Sequence, residues 1–173
     1  MIAAYIATPS DIPALLEYFS RLGPDTRSRF APHAFDEATL RNLLAGDSRH
    51  IGFIAQEEGA GPIIGYAVAR LYYEGYEKER FQKYGWTPHD STDVFYAPSV
   101  ADEHQGKGIG QALMNRARHT LNEIGRSRML LWGGVQATNE RALAHYQKAG
   151  FQELGGFEWN GWNVDMLFAP GQP

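Results

Sequence analysis

The stretch from Asp93 to Ile124 restricts the fold more than any other part of the chain. It opens as a β-rich run, 93–100, interrupted by Ala97-Pro98; proline has no N–H to donate, so a strand must bulge or open there. Gly106, Gly108 and Gly110 follow at alternate positions. Then Ile109, Leu113, Ala117, Leu121 and Ile124 form one apolar stripe at helical spacing, with Arg116, Arg118, His119 and Glu123 away from it. Strand, glycine loop and amphipathic helix in this order place backbone N–H groups at the positive end of a helix dipole, where no Cβ blocks an approaching anion. The loop Gln105-Gly106-Lys107-Gly108-Ile109-Gly110 thus suits a phosphate or pyrophosphate, the plain alternative being a flexible connector.

Two nucleotide-binding readings of that loop fail on single residues. A P-loop needs Ser or Thr after Gly-Lys to hold magnesium, and Lys107 is followed by Gly108. A dinucleotide fingerprint needs its third glycine where Gln111 stands, inside a βαβ unit that the surrounding pattern lacks.

The rest of the chain reads as one domain spanning residues 1–173, since 173 residues with 43% hydrophobic content can fill one core. A strand at 3–7 leads through Thr8-Pro9-Ser10-Asp11 into a helix carrying Leu15, Leu16, Phe19 and Leu22, ended by Gly23-Pro24. A second helix is expected over 36–44. Strands at 51–55 and 63–69 flank the turn Gly59-Ala60-Gly61-Pro62, while 74–91 has no clean period and reads as a functional loop or short helix. A buried strand at 129–132, a helix over 139–149 closed by Gly150, and strands at 151–154 and 164–168 complete the chain. That order predicts a mixed α/β layer around one central sheet.

Composition removes several chemistries. With no cysteine there is no disulfide, thiolate metal site or thiol nucleophile. His33, His50, His89, His104, His119 and His145 show no compact ligand spacing, so no metal is expected. No Gly-x-Ser-x-Gly elbow is present, which favours direct transfer over a covalent intermediate. A net charge of −4 without a basic run argues against nucleic acid. The start Met1-Ile2-Ala3-Ala4-Tyr5-Ile6 lacks a basic leader, and no apolar run reaches membrane-spanning length, so a cytoplasmic protein without a membrane partner is expected.

A second segment, Asn139-x-x-Ala142-x-x-x-Tyr146-x-Lys148-x-Gly150-Phe151, follows the strand that carries Trp132. Together with Gln105-x-x-Gly108-x-Gly110, it resembles the GNAT superfamily of acetyl-coenzyme A-dependent N-acetyltransferases over residues 92–155. The resemblance implies a mixed, mostly antiparallel central sheet of about 6–7 strands flanked by about 4 helices. It implies acetyl-coenzyme A as co-substrate, its pyrophosphate on the backbone of residues Gln105, Gly106, Lys107, Gly108, Ile109 and Gly110, with Lys107 adding charge. It also implies an opened strand whose backbone at Ser99, Val100 and Ala101 pairs with the pantetheine arm. Asn139 would bond that arm or the backbone around it, and Tyr146 would protonate the departing thiolate.

The acceptor implied is a primary amine of a small molecule or peptide, which must be neutral to attack. Asp93 is the preferred base and Glu74 the next, from a set that also holds Glu77, Asp102, Glu103, His104 and His145. The carboxylates Glu74, Glu77, Glu79, Asp90 and Asp93 would favour a cationic acceptor, or form an ordinary charged surface. Tyr72, Tyr73, Tyr76, Phe81, Tyr84 and Trp86 would line an acceptor pocket, or form an apolar lid. Trp159-Asn160-Gly161-Trp162 offers aromatics to a homodimer contact. The alternative to an enzyme is a coenzyme-binding sensor without turnover.

Overall fold

The computed structural model describes residues 1–57 and 61–171. Backbone contacts divide the chain into two compact units that interleave in sequence: residues 1–70 with 97–121, and residues 71–96 with those from 122 on.

The first unit opens with strand β1 (Ile2–Ile6), antiparallel to β2 (His50–Glu57), which in turn pairs antiparallel with β3 (Gly65–Arg70). Between β1 and β2 lie three helices, α1 (Ile12–Arg21), α2 (Pro24–Arg29) and α3 (Glu37–Leu43). Helix α1 buries Ile12, Leu15, Tyr18 and Phe19; of the predicted stripe Leu15 and Phe19 lie inside it, Leu16 is half-buried and Leu22 is buried just past the helix end. Phe19 stacks on Phe35 at 4.4 Å between centroids, and Tyr66 of β3 meets Phe19 edge-on at 5.2 Å. The second half of β4 (Asp93–Val100) and helix α5 (Ile109–Glu123) complete this unit.

Helix α5 seats its start directly on β3. A Cβ at Gly65 would fall 2.8 Å from Ile109 Cγ2 and 3.0 Å from Leu113 Cδ1, so only glycine lets the helix come this close. Ile109, Leu113, Ala117 and Leu121 are buried as predicted. Ile124 lies past the helix end and is 50% exposed, so the stripe stops one member short.

The second unit contains α4 (Gly75–Gln82), the first half of β4, β5 (Arg128–Leu131), the two-residue β6 (Val135–Gln136), α6 (Glu140–Lys148), β7 (Gln152–Glu158) and β8 (Trp162–Phe168). Strand β4 runs parallel to β5 from Asp93↔Arg128 to Tyr96↔Leu131, while β8 is antiparallel to β5, β6 and β7. The β4–β5 register thus ends one residue before Ala97-Pro98, where proline withdraws a donor. Phe81, Phe95, Leu130 and Leu167 form a core cluster with Tyr73, Tyr84 and Trp86 packed against it.

The mixed, mostly antiparallel α/β class agrees with the sequence; the described residues hold eight strands and six helices. Two elements were not foreseen. Pro24 does not merely end α1 but starts α2 at its first turn, where a missing N–H costs nothing, and β6 is too short for periodicity to reveal. The aperiodic 74–91 region, read as a loop or short helix, folds its first part into α4. Of the turn 59–62, Gly59 and Ala60 lie outside the described residues.

Candidate functional site

The glycine loop lies in the first unit. Gly106 and Gly108 have φ of 80° and 83°, the left-handed region that side-chain-bearing residues avoid, and residues 105–108 are exposed. Ile109, buried against β3, then begins a 15-residue helix. The first N–H groups of any helix have no intrahelical acceptor, so the loop ends on a cluster of donors with the positive dipole end behind it.

What precedes the loop is tied down. Asp102 accepts from the Gly23 amide at 2.8 Å and from Thr26 Oγ1 at 2.6 Å, and these bonds, Thr26 first, hold its carboxyl below the usual carboxylate range. Gln105 Nε2 donates to Thr26 Oγ1 and to the Val100 carbonyl at 3.2 and 3.3 Å. The Gln105 side chain therefore braces the loop, which leaves its backbone exposed. Ser99 is buried, its hydroxyl 2.9 Å from that of Tyr18, and the Ala101 amide donates to the Ile64 carbonyl at 3.0 Å. Ala101 N–H is thus already committed within the protein.

The second sequence segment lies in the second unit. Asn139 caps α6, its Oδ1 accepting from the Ala142 amide at 3.3 Å. Gly150, at φ 91°, closes the helix and Phe151 enters the core. Tyr146 is 8% exposed, held edge-on between His145 and Phe151 at 5.4 and 5.3 Å. Burial pushes its phenol above the usual tyrosine range, so it carries its proton at neutral pH.

Of the two base candidates named first, Asp93 has its carboxylate fully engaged, whereas Glu74 is held by its backbone amide. Asp93 is buried, and its two oxygens accept from Arg128 Nε at 2.6 Å, Arg128 Nη2 at 2.8 Å, the His89 amide at 2.5 Å and Thr92 Oγ1 at 3.1 Å. Four donors meet about four lone-pair sites. Glu74 stands at the N-cap of α4 in a capping box with Glu77, whose carboxylate accepts the Glu74 amide at 2.7 Å. Nothing in the spacing of Asp93 announced Arg128, which is 35 residues away.

The carboxylates and aromatics of the 74–91 region are divided between core and surface. Glu77 and Phe81 are buried, whereas Tyr76 is 61% exposed. An open cleft of about 450 Å³ lies between α4 and β7, lined by Tyr76, Glu79, Lys83, Tyr84, Phe157 and Glu158 among others. Beneath it Arg80 pairs with buried Asp165 at 2.8 and 3.1 Å and stacks over Phe157 at 4.0 Å. Tyr84 also donates to Asp165, at 3.1 Å, and burial first, then that carboxylate, pushes its phenol up to about 12. Gly155 makes this possible: a Cβ there would strike the Tyr84 ring at 2.4 Å. Among the described residues no cluster of His, Asp or Glu could hold a metal ion, and no helix is long and apolar enough to cross a membrane.

The exposed glycine loop at the start of α5, in the first unit, and the buried, protonated Tyr146 on α6, in the second, are the two motifs that the sequence singled out. The family model for the acetyltransferase (GNAT) family matches residues 13–151, and the chain belongs to that family. A mycothiol acetyltransferase of Paenarthrobacter aurescens (strain TC1) is 34% identical over 83 residues, covering 48% of this chain and 23% of that protein. Another from Propionibacterium freudenreichii subsp. shermanii is 25% identical over 149 residues, covering 86% of this chain and 36% of that protein. The chain thus spans well under half the length of these curated relatives. The GNAT domain of S. lividans PAT has the same fold, with a TM-score of 0.74 at 20% identity over 96% of this chain and 89% of the other. So does aminoglycoside acetyltransferase AAC(6')-Ib in complex with coenzyme A, with a TM-score of 0.71 at 20% identity over 98% and 95%.

Proposed function

We propose that this acyltransferase takes an acetyl group from acetyl-coenzyme A and passes it directly to a primary amine of a small molecule or peptide. The observation that carries the reading is the pair of left-handed glycines, Gly106 and Gly108, exposed at the start of α5. Backbone there is shaped for a pyrophosphate, which the loop amides and Lys107 would hold. The Ser99–Ala101 backbone would guide the pantetheine arm. Ala101 N–H is given to Ile64 and the Val100 carbonyl already accepts from Gln105, so the arm would use the remaining backbone groups of this segment. Asn139 orders the start of α6, and Tyr146, protonated at neutral pH, would give its proton to the leaving thiolate.

In this mechanism the amine nitrogen attacks the thioester carbon, the C–S bond breaks, and sulfur takes the Tyr146 proton. The amine's proton leaves to solvent or to a base. Asp93, preferred from sequence, enters this role only by giving up its bonds to Arg128, His89 and Thr92, which leaves Glu74 as the next candidate. Glu79 and Glu158 on the α4–β7 cleft, beside Tyr76 and Tyr84 and with Lys83 opposing them, support a cationic acceptor. The family match across residues 13–151 passes through both compact units and supports one acyltransferase domain over 1–173.

Calorimetric titration with acetyl-coenzyme A tests the reading, on wild type and on the double variant Gly108→Glu, Gly110→Glu. Saturable binding lost in the variant is expected; a folded wild type that binds nothing would overturn it. Turnover is then read by thiol release over a panel of amines including an aminoglycoside and spermidine. A chain without cysteine gives that assay no protein background.

A further inference from the structure

The glycine loop is exposed and turns on two left-handed glycines, so a ligand that uses its amides gains from a backbone already held in shape. Its far end is fixed by Ile109, buried at the start of α5. Its near end is fixed by side chains that converge on Thr26 of α2, a residue in neither sequence motif. The Thr26 hydroxyl donates to Asp102 Oδ1 at 2.6 Å and accepts from Gln105 Nε2 at 3.2 Å. One oxygen thus joins the first residue of the 3-10 turn Asp102–His104 to Gln105, the residue that leaves the turn and enters the loop. Only a hydroxyl can give and accept in this way at that place.

Thr26 itself stands on a fixed base in the same unit. Its carbonyl accepts the Phe30 amide at 2.9 Å. Beside it, Arg27 donates from Nε to the Leu22 carbonyl at 3.1 Å and from Nη2 to the Phe19 carbonyl, which ties α2 to the buried end of α1. The Gly23 amide donates to the other oxygen of Asp102 at 2.8 Å, and a Cβ at Gly23 would crowd that oxygen at 3.1 Å. We propose that Thr26 is a positioning residue for the coenzyme: by bridging Asp102 and Gln105, its hydroxyl holds Gly106, Lys107 and Gly108 in the conformation that presents their amides to the pyrophosphate. The inference rests on the proposed coenzyme role of this loop. Without the hydroxyl, Asp102 keeps Gly23 and Gln105 keeps the Val100 carbonyl, so the fold stands while the loop entrance loosens. The binding conformation is then only fractionally populated, and apparent affinity falls by that fraction.

Thr26→Val keeps the side-chain shape and removes the hydroxyl. Calorimetric affinity for acetyl-coenzyme A, measured on folded protein well below the thermal midpoint, is expected to weaken about 3- to 10-fold. Thr26→Ser, which restores the hydroxyl, is expected to bind within about twofold of wild type. Asp102→Asn breaks the same bridge from its other side, and its cost in affinity is expected to shrink in a Thr26→Val background, where the shared link is already gone. Wild-type affinity in Thr26→Val would overturn this inference alone, as would equal losses in Thr26→Val and Thr26→Ser, or a cost of Asp102→Asn that is the same in both backgrounds. A folded wild type that binds no acetyl-coenzyme A would overturn the coenzyme role of the loop and this inference together.

Discussion

Replacing Asp93 by Asn separates two roles for that side chain. The amide keeps the shape but turns an N–H toward the Arg128 guanidinium, which also lies 4.9 Å from the Trp86 ring centroid. Breaking a buried pair costs about 3–5 kcal/mol, and the lower end applies because Arg128 remains 30% exposed. A fall of several degrees in the calorimetric midpoint is expected, with kcat per folded molecule within about twofold of wild type. A collapse of kcat at unchanged stability would instead return Asp93 to the base. His33 gives a different kind of test. Its Nδ1–H donates to the Ala34 carbonyl at 2.8 Å, so neutral Nε2 accepts from the Tyr66 hydroxyl at 3.2 Å. Burial lowers its pKa. Below about pH 6.5 the unfolded chain takes up a proton that the folded protein refuses, so stability falls with pH until the folded value is passed. Urea unfolding from about pH 7.5 to 5 should therefore show a slope that His33→Gln reduces, His50 and His145, also lowered, supplying the rest.

At the scale of elements, the contact that positions the candidate coenzyme loop is the seat of α5 on β3. Gly65→Ala would place a methyl where Ile109 and Leu113 lie. Overpacking of this kind costs about 1–3 kcal/mol, and relief comes by lifting the helix start that carries the loop amides. The variant should thus lose affinity for acetyl-coenzyme A as well as stability, whereas a loss of stability at unchanged affinity would detach the seat from the site. Elements with a strong local signal were legible from sequence: α5 from its stripe, α6 from Asn139 and Gly150, and the end of the β4–β5 pairing from Ala97-Pro98. Those that rest on distant partners were not. Helix α4 has no stripe because Glu77 and Arg80 face the interior beside Phe81, and buried charge defeats a hydrophobic pattern. Gly65 looked like any glycine in a strand. The loop and Tyr146 could be named because each sits in a contiguous motif, while the occupation of Asp93 is set by Arg128 and His89.

For the whole molecule, net charge and local geometry pull in opposite directions. A chain of net charge −4 repels an anionic coenzyme at long range, so in the proposed function the attraction falls to amide dipoles at α5 and to the exposed Lys107. A ligand that binds only the folded state stabilises it by about 2.7 kcal/mol at a hundred times its Kd. For a chain of this length that corresponds to a rise of about 5–10 °C in the thermal midpoint. Lys107→Gln should weaken affinity about 3- to 10-fold by removing one charge-assisted contact, and lower the rise accordingly at fixed coenzyme. Gly108→Glu with Gly110→Glu should abolish it. Gly108 has open space where a Cβ would go but a φ of 83°, so that variant also carries backbone strain and its midpoint must be compared with its own coenzyme-free value. If the doubly substituted protein, still folded, shows the full rise, the coenzyme sits elsewhere on the chain and the helix-start assignment is wrong. If the rise vanishes there and shrinks in Lys107→Gln, the loop carries the binding energy against the charge of the whole.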